Sequence, residues 1–372
     1  MTEGFTSVET EQAYVRARDL AGRLEDASQL FIALNGLRTV QMVRAEHDKS
    51  RLLAEELLRL ARRTGDPRQL LRALHGMGCT SYWQGEFCEA REHLEELLGL
   101  YDPKKHRGHD YLSSSANVGV WGLFYFSMTL FSLGYPDQAL MRALEARTLG
   151  RELSHPFSEA AALIPLGIIH MWRRESKALL KTAEAVINLS SEQGFAYLLA
   201  LGALFHGAAL AEEGDLQEGI AGMRSVLEGV RARGAVQGFS WALAILAGAH
   251  RKAGQVEEGL AVAAEGLEFV TKTSERLAEA EFHRVKAELV LTRTPADPAG
   301  AEATFRDALE VARRQSAKFW ELRAAISLAR LWQGQGRSDE ARDLLAPVYD
   351  WFTEGFDMRD LKEAKLLLGE LA

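Results

Sequence analysis

The stretch "GQGRSDEA", Gly334–Ala341, decides how this chain is read. It is either a glycine-rich loop shaped to hold a phosphate or the turn of a repeated unit. Four other stretches share its form: "WQGEFCEA" (Trp83–Ala90), "SLGYPDQA" (Ser132–Ala139), "EEGDLQEG" (Glu212–Gly219) and "KAGQVEEG" (Lys252–Gly259). Each has glycine in third place and a small residue five places on. Three windows fit loosely, "VRAEHDKS" (Val43–Ser50), "MWRRESKA" (Met171–Ala178) and "TPADPAGA" (Thr294–Ala301), with Ala45, Arg173 and Ala296 in the glycine's place. The closing small residues, Ser50, Ala90, Ala139, Ala178, Gly219, Gly259, Ala301 and Ala341, succeed one another at 40, 49, 39, 41, 40, 42 and 40 residues. Such a period marks a stacked array. Gly336 recurs in the four close siblings and Gly334 does not. A phosphate loop needs Gly-Lys-Ser/Thr, and no Gly-Lys pair occurs anywhere in the chain. A dinucleotide fingerprint needs a preceding strand, and a helix end precedes this stretch. The turn is therefore the reading.

One unit follows from simple physics. An apolar run of helical period, such as "WALAILAGAH" (Trp241–His250), precedes the glycine, and an amphipathic run, such as "DEARDLLAPVYDWF" (Asp339–Phe352), follows it. Glycine supplies the left-handed position that closes the first helix. Acidic and amide residues suit the positive end of the second helix. The small residue early in that helix lets the two approach closely. The expected fold is all-α: a superhelical solenoid of about eight helical hairpins forming a single array over residues 1–372. The repeats occupy 28–355, and residues 360–371 form a capping helix. In that cap Leu361, Ala364, Leu368 and Leu371 line the packed face, and Asp360, Lys362, Glu363, Lys365 and Glu370 keep the other side wet. Residues 8–24 read as a lone second helix, which either caps the array or marks a cut from a longer one.

Composition narrows function. With 44 basic and 52 acidic residues the net charge is −8, which argues against a nucleic-acid partner. Cys79 and Cys88 make no disulfide framework and the start "MTEGFTS" is not secretory, so a cytoplasmic protein is expected. Two long apolar stretches, Asn117–Gly134 and Phe195–Ala211, fall at the same phase of the repeat and read as buried helices, not membrane spans. His75, Cys79, Cys88 and His93 could in principle hold zinc, but the five-residue step from Cys88 to His93 suits one helix face poorly. Neither H-E-x-x-H nor G-x-S-x-G occurs. The expectation is a non-enzyme with no catalytic residue, metal or cofactor. The 49-residue step holds a loop, Asp102–Asn117, whose Lys104, Lys105, His106 and Arg107 either meet an acidic partner or phosphate or are simply solvated.

At this point the chain resembles tetratricopeptide repeats, whose pattern is a small residue in the first helix, another twelve places on, then apolar residues four and seven further. Gly78, Ala90, Leu94 and Leu97 fit it, as do Gly207, Gly219, Met223 and Val226, and Ala301, Phe305 and Ala308 fit its second half. The longer period is similar to that of sensor arrays in bacterial signal-transduction ATPases such as the maltose-regulon activator. "LYDPKKHRGH" (Leu100–His109), "LGYPDQAL" (Leu133–Leu140), "AEAEFHRVKAELVL" (Ala278–Leu291) and the run from Trp320 to Leu368 resemble the tail of bacterial proteins that join adenylate-cyclase-type and ATPase domains to such an array. Neither of those domains lies in these 372 residues, and the family favours the reading of a cut array.

The resemblance implies a right-handed superhelix whose inner face, lined by first helices, binds peptides. Carried residue by residue, that face holds Arg72, His75, Cys79 and Tyr82, then Trp121, Phe124, Met128 and Phe131. Further along come Trp241, Arg251, Glu281, Arg284, Glu288, Arg323 and Arg330. Such a face suits an extended ligand with apolar and acidic side chains; alternatively Trp121, Phe124 and Phe131 are core. The expected function is a protein-interaction scaffold or sensor module of bacterial signalling with a peptide or protein partner. The alternative is a small-ligand sensor that regulates a cyclase or ATPase in cis or in trans.

Overall fold

The computed structural model describes residues 6–106, 116–296 and 298–372. Among them are eighteen helices and no strand. α1 (Val8–Arg23) stands before eight hairpins. These pair α2 (Ala27–Val43) with α3 (His47–Thr64), α4 (Pro67–Trp83) with α5 (Phe87–Leu100), α6 (Val118–Ser132) with α7 (Pro136–Glu152), and α8 (Pro156–Trp172) with α9 (Ser176–Gln193). The remaining four are α10 (Ala196–Glu213) with α11 (Leu216–Arg233), α12 (Phe239–Lys252) with α13 (Val256–Thr273), α14 (Glu279–Arg293) with α15 (Ala299–Arg314), and α16 (Lys318–Gly334) with α17 (Ser338–Asp350). α18 (Arg359–Glu370) packs on α16 and α17.

The repeated turn is as the sequence implies. Gly85, Gly134, Gly214, Gly254 and Gly336 all have positive φ, between 70° and 112°. The fourth hairpin corrects the register by one residue. Its left-handed position is Arg174 (φ 58°), not Arg173, and the buried residue that follows is Leu179, 2% exposed, rather than Ala178. With Leu179 in place of Ala178 the flanking steps both become 40. The tolerance has a cause: the turn conformation is set by the helices on either side, and a non-glycine residue accepts it at a modest cost.

The small positions work by backbone proximity. A Cβ on Gly207 would lie 2.9 Å from the carbonyl oxygen of Gly219, and one on Gly219 would lie 2.5 Å from that of Gly207. α10 and α11 therefore touch main chain to main chain. In α18, Leu361, Ala364 and Leu367 are buried, as is Leu371 at its C-cap; Leu368, expected on the packed face, is half-buried and Leu367 takes its place. Asp360 departs from the wet-side expectation: it is buried and accepts from Arg323 Nε at 3.0 Å.

The superhelix closes on itself. The last residues of three first helices have carbonyls that no helix bond uses, and each is met from elements far along the chain. Gln237 N donates to Val43 O (3.2 Å), Arg276 N to Trp83 O (2.8 Å), and the Arg323 guanidinium to Trp172 O (3.0 Å). Phe131 stacks edge-on against Phe319, with ring centres 4.3 Å apart. Glu354 accepts from the amides of Asp137 and Gln138 at the start of α7. Glu275 is fully buried and accepts from Gly238 N, Ser240 N, Ser240 Oγ and the His47 ring. It thereby caps α12, which has no side-chain cap of its own, and ties it to the start of α3. This closure also explains α6, which is apolar all round: of its residues all but Trp121 are buried, between neighbouring hairpins on two sides and α16 on another.

Two outcomes follow. Gly207→Val should lose roughly 1–3 kcal/mol of stability, since backbone cannot retreat as a side chain can. Gly222→Ala, where a Cβ meets nothing within 4 Å, should be neutral or gain up to about 1 kcal/mol; urea midpoints compare the two. Glu275→Ala strips an acceptor from four donors, three of them buried, and should cost on the order of 3–5 kcal/mol, with small-angle scattering showing a more open molecule.

Candidate functional site: an enclosed aromatic chamber

The closure turns part of the inner groove into a chamber of about 620 Å³. First helices α2, α4, α6, α8, α10 and α12 supply most of its wall, and the segments 193–197 and 235–239, Leu277 and the α11 face of Val226, Leu227, Val230 and Arg233 complete it. Seven of the fifteen residues carried over from the resemblance line it: Arg72, His75, Tyr82, Trp121, Phe124, Met128 and Trp241. Trp121 sits edge-on to Phe124 at 5.2 Å and tilted to His75 at 6.3 Å. Phe131 is core, and Cys79 is buried with its thiol on the Gly76 carbonyl. Cys88 is exposed, so the two cysteines do not meet.

The other six residues lie elsewhere. Arg251, Glu281, Arg284 and Arg323 line a narrow neck that also touches Trp172 and Trp241. Arg251, Arg284, Glu288, Arg323 and Arg330 line a polar vestibule of about 1010 Å³ beyond it. Here each guanidinium meets a carboxylate of the chain itself. Arg284 bonds Glu281 (2.6 Å) and Glu288 (2.7 Å), Arg251 lies 2.9 Å from Glu288, Arg323 holds Asp360, and Arg330 reaches Glu363 at 2.7 Å. Burial alone would push the Glu281 and Asp360 carboxyls up, but the neighbouring arginines outweigh it and hold both below the usual range.

In the chamber, burial dominates, reinforced by the Arg38 and Arg72 charges, and holds the His75 imidazole well below its usual value, hence neutral near pH 7. Its Nε2 is shielded from solvent and has no partner among the described residues, and the same holds for Trp241 Nε1. Burial pushes the Tyr125 hydroxyl far up, so it stays protonated while accepting from Trp83 Nε1 (3.3 Å) and Gln237 Nε2 (3.1 Å). Gln237 arrives from the far side of the closure.

Tyr125, Trp83, Trp172, Tyr197 and Arg38 belong to this wall and were not singled out from sequence. For Arg38 a signal existed. The small residue of each first helix forms its own ladder, Gly78, Ser127, Gly167, Gly207, Ala247, Ala287 and Ala329. The corresponding residue of α2, 40 before Gly78, is Arg38. The loop patch Lys104–Arg107 reaches the edge of the description: Lys105 pairs with Asp102, and residues 107–115 lie outside the described residues. Among the described residues no three metal-ligating side chains converge, and no helix is long and apolar enough to cross a membrane.

The fold is thus of the tetratricopeptide-like superhelical class. No family model matches the chain, and no curated protein matches it either. Solved structures do. A Rap protein complexed with Competence and Sporulation Factor is similar over 92% of this chain and 98% of its own, at 10% identity and a TM-score of 0.58. The Rap conjugation gene regulator of plasmid pLS20, in complex with the Phr* peptide, covers 98% of this chain and 96% of its own at 10% identity and TM-score 0.55. NprR in complex with its cognate peptide NprX covers 81% and 82% at 14% identity and TM-score 0.52. At such identities the likeness is one of fold.

The Asp360 pair has a measurable sign. Its lowered carboxyl stabilises the fold at pH values above about 4, the ordinary range of an aspartate, and that contribution is lost as pH falls through the lowered value. Asp360→Asn should therefore be less stable at neutral pH and lose less on acidification; urea midpoints at pH 6.5 and 3.5 read both.

Proposed function

We propose that this chain is a non-enzymatic scaffold or sensor of bacterial signalling that takes a peptide on its inner face, anchored in the aromatic chamber. The observation that carries the reading is the chamber itself: a cavity of about 620 Å³, within the range of ligand sites, whose wall combines large apolar side chains with polar groups at His75 and Trp241 that have no partner among the described residues. That the similar folds include proteins solved in complex with peptides supports it. The vestibule arginines contribute little to recognition on this reading, because acidic side chains of the chain already neutralise them.

A small-ligand sensor acting on a cyclase or ATPase is the second reading. It is favoured by one feature: the chamber is a compact cavity rather than a long trough.

The test is panning of a random peptide library against the purified chain, with affinities by calorimetry. Trp121→Ala and Trp241→Ala should weaken a selected peptide at least about tenfold, as loss of buried aromatic anchors does. Arg330→Ala should change it less than about threefold, its ion pair being exposed. Recovery of no peptide, or full affinity in both tryptophan variants, would sink the reading.

A further inference from the structure

The chamber has an electrostatic character that its apolar volume conceals. A buried arginine, Arg38, belongs to its wall, and among the described lining residues there is no aspartate or glutamate. Arg38 is 3% exposed, yet among the described residues its guanidinium is met only by soft or neutral groups: Asn35 Oδ1 at 3.5 Å, Met42 Sδ at 3.4 Å and Cys79 Sγ at 3.5 Å. No carboxylate among the described residues lies within ion-pair reach of it. A buried cation in that state is costly to the fold. In the vestibule, by contrast, each of Arg251, Arg284, Arg323 and Arg330 lies within reach of an acid.

The position was also made for it. Arg38 stands where the other first helices have glycine, serine or alanine. Its side chain lies across α4 at Gly76, where a Cβ would come within 3.2 Å of Arg38 Cδ and Nε. An arginine in a close-packing position, floored by a glycine and left without an acid, is poorly explained by packing. It is well explained by a visiting anion.

We propose that the chamber receives an apolar carboxylate: the carboxylate pairs with Arg38 and accepts from the nearby His75 ring, and the hydrocarbon or aromatic body lies among Trp121, Phe124 and Met128. The planar guanidinium matches a carboxylate with two parallel bonds. Neutral His75 can present Nε2–H to the same group. The chemistry has two sources, a free organic acid of small size or the carboxy-terminal end of a peptide with apolar last residues. In the second case the inference rests on the peptide reading above and specifies which end of the peptide enters.

The experiment uses the intact chain and tryptophan fluorescence with calorimetry. The probes are decanoate and indole-3-butyrate against their primary amides, and the hexapeptide Gly-Ser-Gly-Leu-Leu-Phe as free acid and as C-terminal amide. At least one acid should bind about tenfold or more tighter than its amide, the scale of a charge-assisted bond. Arg38→Met should abolish that preference while raising the melting temperature of the unliganded protein, since it removes an uncompensated buried charge. Arg38→Lys should retain part of the preference. Equal binding of acids and amides, persistence of the preference in Arg38→Met, or no binding of any probe at millimolar concentration overturns the proposal. The two readings separate cleanly: peptides that bind equally as acid and amide defeat this proposal and leave the peptide scaffold standing, whereas free acids that bind while no peptide does have the opposite effect.

Discussion

Everything enclosed in this molecule depends on how the ends of the first helices are satisfied. A helix leaves its last carbonyls unpaired, and in an open array water would take them. Here Val43, Trp83 and Trp172 present theirs to Gln237, Arg276 and Arg323, so the later hairpins sit directly on the turns of the earlier ones. Glu275 does the reciprocal service for the amide end of α12 while bonding His47. Once the superhelix is shut in this way, the inner groove is walled over, its side chains lose water, and electrostatic terms that would be weak in an open trough become strong.

The two inner compartments show what that dehydration does. The vestibule is crowded with arginines, but Glu281, Glu288, Asp360 and Glu363 lie among them, and the network is closed by the chain itself. Its role is to bind α12, α14, α16 and α18 to one another. The chamber is the reverse: mostly aromatic, with neutral His75, and with Arg38 reached by no carboxylate among the described residues. The neck at Trp172 and Trp241 divides them. One chain thus carries a structural charge cluster and, at Arg38, a buried cation that no described carboxylate reaches.

Much of the fold was legible. Gly336 and its siblings mark real left-handed turns, and the pairs Gly78–Leu94 and Gly207–Gly219 are contacts so tight that no larger residue fits. The site was legible in outline only. Counting from the small residues brought seven side chains to the chamber wall, because position on a helix face is a local property of a 3.6-residue period. The same counting gave Arg284 and Arg323 no partners, missed Tyr125 and Arg38, and left Phe131 open between groove and core, while the face pattern of the capping helix put Asp360 on a wet surface.

The sequence alone determined the hairpin, its turn, its tight small-residue contact and its eightfold stacking, since each is set by residues within one unit or its neighbour. Only the tertiary structure decided that the groove is roofed, which arginines are neutralised and which one is left alone. Those outcomes hang on contacts such as His47 with Glu275, 228 residues apart, and Arg173 with Asp357, 184 apart. No local period encodes such contacts; they follow from the small rotation between hairpins, which accumulates along the stack until one turn of the superhelix meets the next.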